Sequence, residues 1–405
     1  MASRLASPTV LLLLLCVAVC LVNLAVLMLG PLLVALAHAF QTSVALVGQL
    51  AAATAITWGI TAPLAGPVSD AYGRRRILLS GLLLMAVGLL GCVLAWHYSA
   101  LLTCRLLTGV GAATVTPNSL AALAEVFPPT GRGKAMGWVL SATGVSATVG
   151  VPLVAFLLGV GGWRLPFAVL GTAALVIWVL LWCWFPHSQQ RLSQARAFFS
   201  YYREVGSQVM VWYVLAINVC QQIVFFGLFG YLAAYLMQTY QLPTAATVLP
   251  LALAGMGVMV GSILGGRVAD HPRRVTWFAL SCWGSGLLAV LAFTVQVSSW
   301  ITVALACGTA ALARISSAVT PTLLLELAGN AQTTATGLFT MSNQLGVFGG
   351  AALGGLMLAW GGFPWVGLSC LAVAILAAAV IHLKVRDAAA LRAQMALQKG
   401  TTAAE

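Results

Sequence analysis

Apolar residues run through this chain in long, nearly unbroken blocks, and polar residues gather in the short stretches between them. A helix that crosses a bilayer needs about 20 apolar residues. Blocks of that length predict twelve spans, at 10–36, 44–65, 76–97, 100–124, 134–160, 165–185, 209–237, 246–266, 274–296, 300–325, 334–359 and 363–384. The first block, Thr9 to Ala37, follows Arg4 as a signal peptide would. It is far longer than the roughly 7–15 residues of a signal core, so it reads as a spanning helix. The fold class predicted is an all-α polytopic membrane protein.

Composition supports this. Hydrophobic residues make up 61% of the 405 residues and charged residues 6%, against about 25% charged in a soluble domain. Such a chain has too few charges to cover a soluble surface, so lipid is its solvent. The nine cysteines all lie inside apolar blocks, with no CxxC pair, and read as small hydrophobic residues. The net charge of +12 invites a nucleic-acid reading, but the placement of the charges argues against one. With the N-terminus inside the cell, 16 of the 19 Lys and Arg fall in the inner segments and only Arg164 in an outer loop. Arg105 and Arg314 are within spans. That asymmetry is the positive-inside pattern. It predicts a multi-pass protein of the plasma (bacterial inner) membrane with both termini cytoplasmic.

The chain repeats itself at half its length. Gly66-Pro67-Val68-Ser69-Asp70 is echoed by Gly266-Arg267-Val268-Ala269-Asp270, an offset of 200. Val115-Thr116-Pro117 is echoed by Val319-Thr320-Pro321, Gly137 by Gly337, and Gly161-Gly162 by Gly361-Gly362. Repeats of this kind predict two six-helix bundles of the same topology: an N-terminal bundle over 1–185 and a C-terminal bundle over 209–384. Between them, 186–208 reads as a cytoplasmic linker or an interfacial helix, since Phe198, Phe199, Tyr201 and Tyr202 alternate with Arg196, Arg203 and Glu204. Residues 385–405 read as a cytoplasmic tail.

The charged island Gly66 to Arg76, set between spans 2 and 3, resembles the signature G-x-x-x-D-R-x-G-R-R of the major facilitator superfamily. Here it stands as Gly66, Asp70, Gly73, Arg74 and Arg75, with Ala71 where the family carries Arg. On span 4, Arg105, Thr108, Gly109 and Gly111 resemble a second motif, R-x-x-x-G-x-G. On span 5, Gly144, Gly150, Val151 and Pro152 give a partial form of a third. The chain as a whole is similar to the twelve-span drug:proton antiporters of that superfamily. The resemblance implies alternating access, in which two bundles rock about a central cavity lined by spans 1, 4, 7 and 10. It also implies a gate. Asp70 would clasp the start of span 11 and Asp270 the start of span 5, each carboxylate facing a helix N-terminus. Gly66, Gly73, Arg74, Arg75 and Arg273 would serve the same gate.

Within that frame some polar residues stand out. An Arg at mid-bilayer costs about 2.5–3.5 kcal/mol on insertion scales, and such residues usually face a bundle interior or a wet cavity. Arg105 and Arg314 are either cavity cations or structural caps on backbone carbonyls. Asn218, Gln221, Gln222 and Phe225 follow i, i+3, i+4, i+7 on span 7 and share a helix face. With Asn23, Arg314 and Ser317 they form a candidate substrate ring, to which Trp58, Phe226 and Tyr231 add aromatic surface. The alternative is hydrogen bonding between helices that only holds the bundle together. The acidic residues are Asp70, Glu125, Glu204, Asp270, Glu326, Asp387 and Glu405, and none lies mid-span.

The expected function is secondary transport of a small-molecule substrate by a monomer, and not enzymatic catalysis. No nucleophile–base pair, phosphate loop or metal-ligand spacing occurs, so no cofactor is expected. The family resemblance favours drug efflux coupled to protons. The charge inventory, two cavity cations and no cavity anion, favours a facilitator or exchanger of a neutral or anionic solute. A membrane sensor is the alternative of another class, disfavoured because only 21 residues, Val385 to Glu405, follow the last span.

Overall fold

The computed structural model describes residues 8–127, 129–185, 207–269, 271, 273–328 and 332–385. Among them the chain is helical throughout, with no strand. Without water in the hydrocarbon, each backbone N–H and C=O must be satisfied within its own segment, and helices do this. Twelve spans result; spans 1 and 5 are built from pieces, and span 12 ends in a π turn over Ile381–Val385. Span 1 is Pro8–Leu27 and Leu29–Ala39; span 2, Val44–Tyr72; span 3, Arg74–Val93; span 4, Tyr98–Val126. Span 5 is Pro129–Val145, Ser146–Gly150 and Val151–Gly161; span 6, Arg164–Trp184; span 7, Val209–Thr239; span 8, Val248–Ala269. Spans 9 to 12 are Arg274–Thr294, Ser299–Ala328, Gln332–Gly361 and Phe363–Val380. The expected linker lies outside the described residues except for Ser207 and Gln208.

Exposed tryptophans ring both ends of the helix cylinder. Trp96, Trp300, Trp360 and Trp365 mark one end; Trp182, Trp184, Trp212 and Trp277 mark the end that carries Arg74 to Arg76. Two aromatic belts separated by an apolar wall are the signature of a membrane-embedded band.

The duplication read from sequence is visible in the backbone. At the ends opposite the arginines, the turns after spans 1 and 7 each place a glutamine in the left-handed region, Gln41 at φ 52 and Gln241 at φ 53. Each side-chain amide donates back to its own helix end, to His38 O at 3.1 Å and to Gln238 O at 2.7 Å. The turns after spans 5 and 11 use Gly162 at φ 70 and Gly362 at φ 77, the positive φ that closes a helix C-terminus. The halves also meet as a two-fold pair would. Span 2 packs on span 11 and span 8 on span 5. Gly30 and Gly230, 200 residues apart, lie against each other, a Cβ on Gly30 falling 3.2 Å from Gly230 O. A residue touching its own repeat mate marks the pseudo-symmetry axis, as in an isologous contact.

Spans 1 and 5 break at prolines. Pro31 has no N–H to offer the Leu27 carbonyl one turn back, and span 1 is interrupted at Met28. Pro152 likewise withholds an N–H from Thr148. Span 5 widens there into a π turn over Ser146–Gly150, and the N–H of Val151 reaches Ser146 O instead. Span 11, which lacks a proline at the matching place, is one continuous helix.

The bundles meet closely away from the arginines and at mid-height. Away from the arginines, the Leu29–Ala39 segment of span 1 packs on span 7 and on span 2. Near mid-height Thr148 Oγ1 donates to Gly255 O across the span 5–span 8 seam at 3.0 Å, and a Cβ on Gly255 would fall 2.5 Å from Ala147 O. Toward the arginine-rich end, Gly66, Gly73, Gly137, Gly144 and Gly266 each face open space. The Pro8–Leu27 segment packs on spans 4, 5 and 6 of its own bundle.

Candidate functional site: a cation, a ring and an amide cluster at mid-membrane

Span 10 runs from Ser299 to Ala328, so Arg314 stands at its middle. Its Cζ lies 4.0 Å from the centroid of the Phe225 ring on span 7, a cation–π distance. Phe225 itself is buried, edge-on to Phe226 and stacked on Phe229. Arg314 is half-buried, and its buried Nε has no hydrogen-bond partner among the described residues. By sequence the nearest carboxylate along span 10 is Glu326, twelve residues on, about 18 Å at 1.5 Å per residue. Ser317 is next to the Arg314 backbone and donates to Arg314 O at 3.1 Å. The ring solvates the cation, and no carboxylate among the described residues pairs with it.

One turn back from Phe225 the polar face of span 7 divides. Gln222 Nε2 donates to Asn343 Oδ1 on span 11 at 2.9 Å, and Asn218 Nδ2 donates to the same oxygen at 2.8 Å and to Ser342 Oγ at 2.8 Å. Gln221 turns the other way. Its Nε2 reaches Cys282 Sγ on span 9 at 3.2 Å, and its Oε1 accepts from Thr320 on span 10 at 3.4 Å. The four residues do not form one ring. Asn218 and Gln222 meet Asn343 on span 11, Phe225 meets Arg314 on span 10, and Gln221 ties spans 7, 9 and 10. Asn343, half-buried and shared by two donors, is a member that sequence reading missed. The signal was present as Ser342-Asn343-Gln344, three consecutive polar residues in a span otherwise rich in glycine and apolar side chains.

Arg105 is in a different setting. It is 0% exposed inside the first bundle. Its Nη2 donates to Ala25 O on span 1 at 2.7 Å, just before the break at Met28. Its Nε and Nη1 are buried with no partner among the described residues. Asn23, also on span 1, is half-buried and bonds its own helix at Val19 O, 2.8 Å away. Trp58 on span 2 is buried with its indole N–H unpaired among the described residues. Tyr231 donates to Ala351 O on span 11 at 2.7 Å.

At the expected gate, Gly73 at φ 94 turns the chain from span 2 to span 3 in a single residue, its N–H on Ser69 O at 2.9 Å. Arg74 donates to Ala121 O on span 4 at 3.2 Å, and Arg75 donates to Trp182 O on span 6 and lies over the Trp182 ring. Both arginines thus hold the first bundle together. The second copy makes its turn differently, with Arg273 at φ −95 and its N–H on His271 Nδ1 at 3.1 Å. Asp270 and the side chain of Asp70 lie outside the described residues, as do the side chains of Glu125 and Glu326.

The comparisons agree with this architecture. YceJ, an MFS-type transporter of Bacillus subtilis, is 30% identical over 244 residues, which span 60% of this chain and 62% of that protein. The 3-(3-hydroxy-phenyl)propionate transporter of Escherichia coli is 30% identical over 308 residues, 73% of each chain. Among solved structures, a bacterial homologue of the human lysosomal transporter Spinster, crystallised inward-facing and unoccupied, superposes with a TM-score of 0.77 at 17% identity. That likeness covers 94% of this chain and 97% of the other, and concerns the fold. The family model described as Major Facilitator Superfamily matches residues 15–331. The chain belongs to that superfamily of multi-pass membrane transporters, which are not enzymes.

Proposed function

We propose that this protein is a secondary transporter of small organic anions that works by alternating access. The observation that carries the reading is Arg314. It is a cation in the middle of span 10, partly exposed and supported by the Phe225 ring, with one N–H still unpaired among the described residues; one turn before Phe225 on span 7, Gln222 pairs with Asn343. A guanidinium offers five donors in a planar fork and suits a carboxylate. The aromatic acid named for the Escherichia coli relative is of the same chemical class. The placement of Lys and Arg in the sequence supports a cytoplasmic position for the arginine-rich end. Arg105 acts here as a clamp on span 1 and not as a substrate ligand, because it is enclosed.

Counterflow in proteoliposomes tests this with 3-phenylpropanoate, its amide and 3-phenylpropylamine as probes. The acid should exchange, and Arg314→Ala should abolish its exchange. Uptake of the amine with none of the acid overturns the proposal, as does full acid exchange by Arg314→Ala. A second reading, drug efflux in exchange for protons, is favoured by the span 4 pattern of Arg105, Gly109 and Gly111. Collapsing the pH gradient separates the two, since uphill transport that persists leaves no role for protons.

A further inference from the structure

Above the Phe225 layer, toward the sealed end, spans 1, 2, 7 and 11 do not quite close. Val26, Leu27 and Gly30 on span 1, Gly48 on span 2, and Phe226 and Gly230 on span 7 line a hollow that is almost wholly apolar. The hollow sits at the pseudo-two-fold axis, where Gly30 meets Gly230. The Phe225 and Phe226 rings stand between it and the Arg314 guanidinium. Arg314 lies on Phe225, Phe225 is edge-on to Phe226 at 5.1 Å, and Phe226 is in the wall. Along span 7, Gln222, Phe226 and Gly230 follow i, i+4, i+8, so one helix face passes from amide to ring to hollow. Span 1 passes the same way through Asn23, Val26 and Gly30.

We infer that the hollow receives the apolar end of the transported anion, so that the substrate is an amphiphilic carboxylate whose short alkyl or aryl end points toward the sealed end. The inference rests on the anion reading above and extends it. Polarity is graded along the site: donors at mid-membrane, rings next, aliphatic side chains beyond. A ligand charged at both ends would leave one charge among aliphatic groups, which is strongly unfavourable. A small polar anion would leave the hollow without contacts. The hollow also adds apolar contact beside the axis on which the bundles meet, so filling it joins ligand binding to the seal.

The test uses the straight-chain acids from propanoate to octanoate, and the matching primary amides, binding to the full chain in nanodiscs. In the wild type, affinity should rise roughly fourfold per methylene and level off once the hollow is full. A Cβ on Gly230 meets nothing within 4 Å, so Gly230→Ala adds a methyl without a clash and Gly230→Leu extends further into the space. That variant should bind propanoate as the wild type does, within about twofold, and bind octanoate on the order of tenfold more weakly. Gly230→Ala should bring the plateau about one carbon earlier. Gly159→Leu, on an exposed face with open space at its Cβ, controls for partition into lipid and should leave the series unchanged. An unaltered chain-length series in Gly230→Leu overturns the inference, as does an equal loss for propanoate and octanoate. Amides that bind as well as acids, with the chain-length dependence and its loss in Gly230→Leu intact, sink the anion reading alone and leave the hollow's role standing.

Discussion

In the first bundle, polar side chains that reach a neighbouring helix end almost without exception on a backbone carbonyl. Thr57 donates to Leu106 O, Arg105 to Ala25 O, Thr114 to Ile77 O and Ser146 to Cys20 O. In the second bundle they mostly meet other side chains: Asn218 with Ser342 and Asn343, Gln222 with Asn343, Gln221 with Thr320 and Cys282, Tyr240 with Thr302. The two units share turns and topology, so the difference lies in the chemistry laid on them. A helix carbonyl already holds its own N–H, and a hydroxyl resting on it can leave at little cost. An amide network buried in lipid has no such reserve, because each partner lost leaves another group unpaired. We take the first bundle as the frame and the second, whose polar side chains pair with one another, as the half that carries the candidate site. The two mid-span arginines follow the same division, Arg105 enclosed on a carbonyl and Arg314 partly exposed over a ring.

The largest expected effect is at Arg314. Arg314→Ala should weaken anion binding on the order of 100-fold while leaving the melting temperature of the purified protein nearly unchanged. Arg314→Lys should fall between, since an ammonium keeps the charge and loses the planar stack on Phe225. Equal anion affinity in all three proteins would erase the distinction drawn between the halves. Next in size is the amide network. Asn218→Ala leaves Ser342 and Asn343 short of a donor and should lower unfolding stability by about 1–3 kcal/mol. Thr57→Ala, its counterpart on a carbonyl, should lower it by about 0.5 kcal/mol or less. Thermal unfolding in one detergent measures both, and a larger loss for Thr57→Ala would reverse the assignment of frame and working half.

The helices and the doubling could be read from the sequence because lipid leaves few choices. Blocks such as 209–237 and 274–296 have no alternative to spanning, and the offset of 200 between Gly162 and Gly362 survives in the backbone as two matching positive-φ turns. What could not be read was direction around a helix axis. Asn218, Gln221 and Gln222 obey a one-face spacing, yet a difference of one residue rotates a side chain by about 100°, enough to send Gln221 to span 9 and Gln222 to span 11. Arg105 and Arg314 look alike in sequence for the same reason. Aligning Val115-Thr116-Pro117 with Val319-Thr320-Pro321 sets Arg314 opposite Val110 and Arg105 opposite Thr309, so neither cation has a mate in the other half. The π turn in span 5 was implicit in Pro152, but the widening depends on how the freed Thr148 carbonyl and hydroxyl are used, and the hydroxyl is on Gly255 across the seam.

Arg105 tests the frame from within. Removing an incompletely paired buried charge in favour of an apolar side chain of similar length is often neutral or stabilising. Arg105→Met should therefore hold or raise the melting temperature. If the clamp on Ala25 O sets the pose of span 1 at its break, the same variant should lower the exchange rate severalfold with anion affinity unchanged. A parallel fall in affinity would show that Arg105 touches the ligand, and the contrast between the two cations would be lost.

The smallest effect should come where the halves are alike. Gln41 and Gln241 hold φ near +50, which costs a side-chain-bearing residue about 1 kcal/mol relative to glycine. Each recovers part of that through its amide on the preceding helix end. Gln41→Gly and Gln241→Gly both remove the strain and the hydrogen bond together, so each should change stability by less than about 1 kcal/mol. The two changes should agree in sign and in size. Agreement means the turns still behave as copies of one unit while the interiors have diverged around the site. A clear difference between them would place the divergence of the halves in the backbone itself, and the polar contrast would then be its consequence and not its cause.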